Sequence, residues 1–156
     1  MAGESTPEDR WEHWLVHLLW AVSVRTSMLG EAALAETPLS LSGLGLLENI
    51  NARPGTTIAE ITRRAPQTQQ TLSQIAARLD KLGFIERRLS DSGRGVALHL
   101  TPAGMSARAQ AHAIAERFEA KLAGELGTSR YQRLTKLLEE ARTIIGELEP
   151  ARGAEP

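Results

Sequence analysis

The chain has 156 residues, 42% of them apolar and 24% charged, and a formal net charge of −1. This composition argues against global disorder and fits one domain that can bury a real core, with room for help from a partner subunit. It contains no cysteine, which excludes disulfides, thiol redox sensing, thiolate metal sites and cysteine nucleophiles.

In chain order, "MAGESTPEDRWEHW" has no basic start followed by an apolar core, so no signal peptide is expected. No apolar run approaches the roughly 20 residues needed to cross a bilayer, and a cytoplasmic location without membrane attachment is expected. Thr6-Pro7-Glu8-Asp9 offers an N-cap, a proline at the first helical position and two acids against the helix dipole. Trp11, Trp14, Leu15, Leu18, Val22 and Leu29 then keep helical spacing to about residue 35. A second helix is predicted from about Ser42 to Asn51 and ends at "ARPG". Thr57-Ile58-Ala59-Glu60 fits a capping box and starts a short helix to about Ala65, which Pro66 breaks. A longer helix from about Thr68 to Leu82 turns Leu72, Ile75, Ala76 and Leu79 inward, with Gly83 beyond its end.

"FIERRLS" and "GVALHL" read as two strands around a glycine-rich loop. Thr101-Pro102 starts a further helix through Leu126, and Gly127-Thr128 interrupts it. The last helix repeats Leu134, Leu137, Leu138, Ala141, Ile144, Ile145 and Leu148 at i, i+3, i+4, i+7 spacing. The tail over 149–156 is expected to fray.

Charge is uneven along this plan. From Arg53 to Arg94 there are eight basic residues against four acids, so the middle is basic while the rest is acidic, a distribution suited to nucleic acid. A helix–turn–helix offers the N-terminal end of its second helix to the DNA major groove. Here that end is "QTQQTLSQ". Thr68, Gln69, Gln70, Thr71, Ser73 and Gln74 supply uncharged donors and acceptors for base edges, and Arg78 is better placed for phosphate.

The stretch "LSQIAARLDKLGFIERRLSDSGRGVALHLTPAG" resembles the MarR-type winged-helix transcriptional regulators. The resemblance extends over about residues 10 to 148. It implies a mainly α fold with a small β-hairpin wing: a winged helix–turn–helix lobe over 40–101 and a helical dimerisation region over 7–35 and 102–148, in one domain of 1–156. It also implies that Arg94 at the wing tip enters the minor groove, and Arg88 of the first wing strand joins the DNA-binding set. The family's wing usually reads Asp-x-Arg, but here Ser92 stands in the acid's place and Asp91 lies one residue earlier.

The implied partners are double-stranded DNA with a pseudo-palindromic operator and a second copy of the chain. The apolar stripes of the first and last helices, too regular to leave wet, point to a homodimer through Trp11, Leu15, Leu134, Leu138 and Ile145. The two recognition helices then lie about 34–36 Å apart. The resemblance further implies a small aromatic or amphipathic effector against His17, Trp20, Val24, Met28, Leu44 and Leu47, acting to release a repressor. No catalytic residues, cofactor or metal ligands stand out: His13 and His17 share a helix face, but no Glu-x-x-His pattern accompanies them. Two other readings stay open, a winged-helix protein-interaction module without DNA binding and a small helical metal-binding protein or enzyme.

Overall fold

The structure, a computed structural model, describes residues 11–65, 67–89 and 95–148. A 3-10 turn over Trp11–His13 is followed by α1 (Leu15–Ala33), α2 (Leu41–Ala52), α3 (Ile58–Thr62) and α4 (Gln69–Lys81). Then come β1 (Ile85–Leu89), β2 (Val96–Leu100), α5 (Pro102–Leu126) and α6 (Thr128–Leu148). The fold is mainly helical with a small hairpin, as the patterning predicts. The residues form two compact units, one ending at Ala115 and one starting at Glu116, so the division falls inside α5.

In the first unit α2 is the hub. Its Leu44, Leu46, Leu47 and Ile50 are buried with Leu34, Leu39, Ile61, Leu72, Ala76, Leu79, Ile85, Leu98 and Ala111 in one cluster. Each fully buried Leu or Ile contributes roughly 1.5–3 kcal/mol relative to exposure. α4 buries Leu72, Ala76 and Leu79, while the fourth residue of its predicted stripe, Ile75, is only partly covered.

Local chemistry sets the helix ends. Ser40 Oγ accepts the Gly43 N–H at 3.0 Å, which starts α2 at Leu41, slightly ahead of the predicted Ser42. The Thr57–Glu60 capping box is present in both directions. At the far end of α4, Gly83 takes φ +72°. The Phe84 N–H reaches the Leu79 carbonyl at 2.9 Å and the Gly83 N–H reaches Asp80 at 2.8 Å. This is a Schellman ending, open to glycine because L side chains resist positive φ.

α1 departs from expectation. The Thr6-Pro7 start lies outside the described residues, and the helix proper begins only at Leu15. Trp14 is extended (φ −67°, ψ 140°), with no side-chain cap, and its N–H closes the 3-10 turn on the Trp11 carbonyl at 3.0 Å. The bulky tryptophan supplies no capping oxygen, so only backbone marks this boundary.

β1 and β2 pair antiparallel, Ile85 opposite Leu100 and Leu89 opposite Val96. A bridge from Thr57 to Ala97 adds a short third edge, held by Gly55 N–H to Leu98 O at 3.0 Å and Leu98 N–H to Thr56 O at 2.9 Å. The hairpin base is then locked to α5. The Thr101 N–H bonds Phe84 O at 3.1 Å, Thr101 Oγ1 donates to Gly83 O at 2.6 Å, and Gly104 N–H donates to Thr101 Oγ1 at 3.0 Å. A Cβ at Gly104 would sit 1.9 Å from Phe84 O, so no other residue fits without moving backbone.

The second unit joins the end of α5 to α6 through Gly127, at φ +77°. The Tyr131 hydroxyl donates to Glu119, and the carboxylate holds the phenol above its ordinary pKa of 10.0 because it favours the proton-bearing form. No α6 residue is buried.

Candidate nucleic-acid interface

The N-terminal end of α4 is exposed. Thr68 Oγ1 accepts the Thr71 N–H at 3.2 Å, and the two threonine hydroxyls share a hydrogen bond at 2.9 Å. These two side chains therefore build the helix start as well as its outer face. Among the described residues, Gln69, Gln70, Ser73 and Gln74 are exposed and make no side-chain hydrogen bond. Four uncharged hydrogen-bonding groups thus stand idle on a helix whose opposite face is fixed in the core, the arrangement that base-edge recognition needs.

Behind α4, the short α3 is tightened by its box. Glu60 Oε2 accepts the Thr57 N–H at 2.8 Å and the Thr56 hydroxyl at 3.2 Å, and Arg64 Nη2 reaches Thr56 Oγ1 at 3.3 Å. Hydrogen bonds to its charged form, the Thr57 N–H foremost and then the Thr56 hydroxyl, lower the Glu60 pKa from its ordinary 4.5.

On the hairpin, Arg87 Nε pairs with Asp80 at 3.0 Å, bracing the strand against the end of α4. Arg88 pairs with Glu86, so this DNA-binding candidate is held beside an acid of its own strand. Among the described residues, Arg78 has no acidic partner. It lines a cleft of about 200 Å³ with Pro38, Ser40, Gly43, Gln74, Ile75 and Leu79. Arg94 and the neighbouring Asp91 and Ser92 lie outside the described residues. Gly95, at φ +95°, returns the chain into β2.

The effector candidates divide. His17 and Trp20 line a cleft of about 170 Å³ with Trp11, Trp14 and Val16, and Val24 and Met28 are exposed further along α1. Leu44 and Leu47 do not join them: at 5% and 0% exposure they are core residues, because α2 turns that face toward α4 and the hairpin. His17 packs edge-on against Trp11, ring centres 4.0 Å apart. Among the described residues no group of three or more His, Asp or Glu gathers for a metal. The dimerisation candidates Trp11, Leu15, Leu134, Leu138 and Ile145 are all exposed, by 43–62%.

Two contacts were not foreseen from the residue pattern. One is the Arg87–Asp80 brace. The other joins α2 to α5: Arg108 Nη1 holds both Glu48 oxygens, at 2.9 and 3.0 Å, and His112 Nδ1 lies 2.9 Å from Oε1. Partners so far apart in sequence leave no local signal, whereas Asp80 and Arg87 are readable only once the Gly83 turn is known.

Comparison with known proteins agrees with this geometry. A sequence model of the MarR family matches residues 38–94, from the start of α2 to the hairpin loop. The HTH-type transcriptional repressor Rv2887 of Mycobacterium tuberculosis is 27% identical over 127 residues, 81% of this chain and 91% of that protein. Two solved structures share the fold along nearly their whole length. The transcriptional repressor CouR bound to a 23-mer DNA duplex has a TM-score of 0.80 at 22% identity, covering 89% of this chain and 99% of its own. Rv2887 in complex with salicylic acid has a TM-score of 0.66 at 25% identity, covering 90% and 99%. In its winged-helix segment by sequence, and in its fold, this chain is similar to MarR-family regulators.

Proposed function

We propose that this chain is a homodimeric transcriptional repressor that binds a pseudo-palindromic operator in double-stranded DNA and is released by a small aromatic or amphipathic ligand. The observation that carries it is the free polar face of α4, Gln69, Gln70, Ser73 and Gln74, on a helix anchored by Leu72, Ala76 and Leu79. In this reading Arg78 beside it serves a phosphate, and Arg94, outside the described residues, is assigned to the adjacent minor groove. The relatives support the same reading, since CouR was solved on a DNA duplex and Rv2887 with salicylic acid.

Dimerisation is supported by α6, whose Leu134, Leu137, Leu138, Ile144 and Ile145 are exposed as one stripe. A two-fold axis over such stripes sets the spacing of the recognition helices. Release follows from linkage: a ligand that prefers a dimer of a different spacing weakens DNA binding by its differential affinity. No catalytic step belongs to this reading. No helix among the described residues is long and apolar enough to cross a membrane, and the proposed place of action is the cytoplasm. Operator selection from random DNA with purified protein tests the proposal. A single palindromic motif with steeply salt-dependent affinity is expected, and recovery of sequences without a motif would refute it.

A further inference from the structure

β1 carries two adjacent arginines that are paired in different ways. Arg87 reaches out of the hairpin to Asp80 of α4 at 3.0 Å, so its ion pair joins two elements. Arg88 Nη2 donates to Glu86 Oε1, a partner two residues back and on the same face of the same strand. We propose that Glu86 is an intramolecular rival of DNA phosphate for Arg88, a brake that lowers the wing's affinity for DNA by holding its cation in advance. This rests on the nucleic-acid reading above, in which Arg88 meets the duplex.

Accessibility is the first argument. The side chains of Arg88 and Glu86 are 59% and 42% exposed, so a nucleic-acid strand can reach the guanidinium. Isolation is the second. Across the ladder Arg88 faces Ala97, whose methyl group offers no acceptor, and among the described residues Glu86 is its one acidic partner. Glu86 in turn makes no other side-chain hydrogen bond among those residues. The third argument is what the pair lacks. It ties no second element, and an exposed ion pair contributes little to folding, so its consequence lies in what it withholds from a ligand. The guanidinium must leave Glu86 before it can fully neutralise a phosphate, and the attraction it gives up is subtracted from binding. The proposed two-fold dimer incurs this cost in each subunit.

The full-length wild type, Glu86→Gln, Arg88→Ala and the double variant are titrated against the selected operator and a random-sequence duplex over a salt series. Glu86→Gln is expected to tighten binding about threefold per subunit, about tenfold for the dimer. It should also steepen the salt dependence of log affinity by about one per subunit. In the Arg88→Ala background the same substitution should gain about twofold at most, because removing a bare charge near DNA is then its whole effect. The unfolding midpoint of Glu86→Gln should match wild type. Equal gains in the two backgrounds overturn the proposal, since Glu86 then acts on DNA directly, and so does absence of any gain beside Arg88. A lowered midpoint with unchanged affinity makes the pair structural and overturns it too. The brake and the repressor reading fail separately. A gain on the random-sequence duplex without any selected motif keeps the brake and removes sequence-specific repression. A selected motif with no gain for Glu86→Gln keeps repression and removes the brake, and duplex binding by none of the four chains removes both.

Discussion

α4 and α6 are both amphipathic, yet they treat their apolar faces in opposite ways. α4 buries Leu72, Ala76 and Leu79 and leaves a polar face free. α6 carries a longer apolar stripe and buries none of it, with Leu137 and Ile144 more than half exposed. One helix is completed by its own chain; the other is half of something. A periodic apolar stripe thus reports that a face must be covered, but not by which molecule.

The largest effect should come from removing the unfinished helix. Deleting residues 129–156 is expected to leave a monomer in sedimentation and to lower operator affinity on the order of 10²–10⁴-fold, through loss of bivalent binding. A truncated protein that still sediments as a dimer would erase the contrast between the two helices. The joint between the hairpin base and α5, beyond the end of the finished helix, is tested next. Gly104→Ala forces a Cβ against Phe84 O and should cost about 3 kcal/mol in denaturant unfolding, the upper end for overpacking, since the obstacle is backbone.

Smaller effects separate the two faces of α4. Gln70→Ala or Ser73→Ala should lose roughly 1–3 kcal/mol of discrimination at one operator position, whereas Arg78→Ala should weaken all sequences alike and lower the salt slope by about one. Binding measured on operator variants over a salt series decides between these patterns, and uniform weakening by Gln70→Ala would remove it from base readout. The smallest effect lies behind α4. Thr57→Ala should cost about 1 kcal/mol as a lost N-cap. Glu60 has a lowered pKa in the folded chain, so its contribution is present above its ordinary 4.5 and lost as pH falls through the folded value. The stability gap between wild type and Glu60→Gln should close in acid, and a gap constant through that range would contradict the assignment.

Features written within a few residues were legible in the sequence. The Thr57–Glu60 box, the Gly83 ending, the Thr101-Pro102 start of α5 and the Gly127 break each depend on near neighbours, and each stands where its residues predict. The polar face of α4 was legible for the same reason, as what remained after its inward stripe. The start of α1 at Leu15 was not, because Trp14 is an unusual boundary with no side-chain cap. The Glu48–Arg108 pair depends on how α2 and α5 meet, which no local pattern encodes. Leu44 and Leu47 show the converse difficulty: an apolar residue on α2 suits a ligand pocket and a core equally, and only packing distinguishes them.

The joint of Gly83, Phe84, Thr101 and Gly104 has a consequence for altering this protein. Two of its contacts run between backbone atoms alone, and the other two need only the Thr101 hydroxyl. None of them involves the side chains of Gln69, Gln70, Ser73 or Gln74. Those four positions are therefore interchangeable lettering on a mount whose angle is set elsewhere. A library randomised there should yield folded proteins with new preferred DNA sites while their unfolding midpoints stay together.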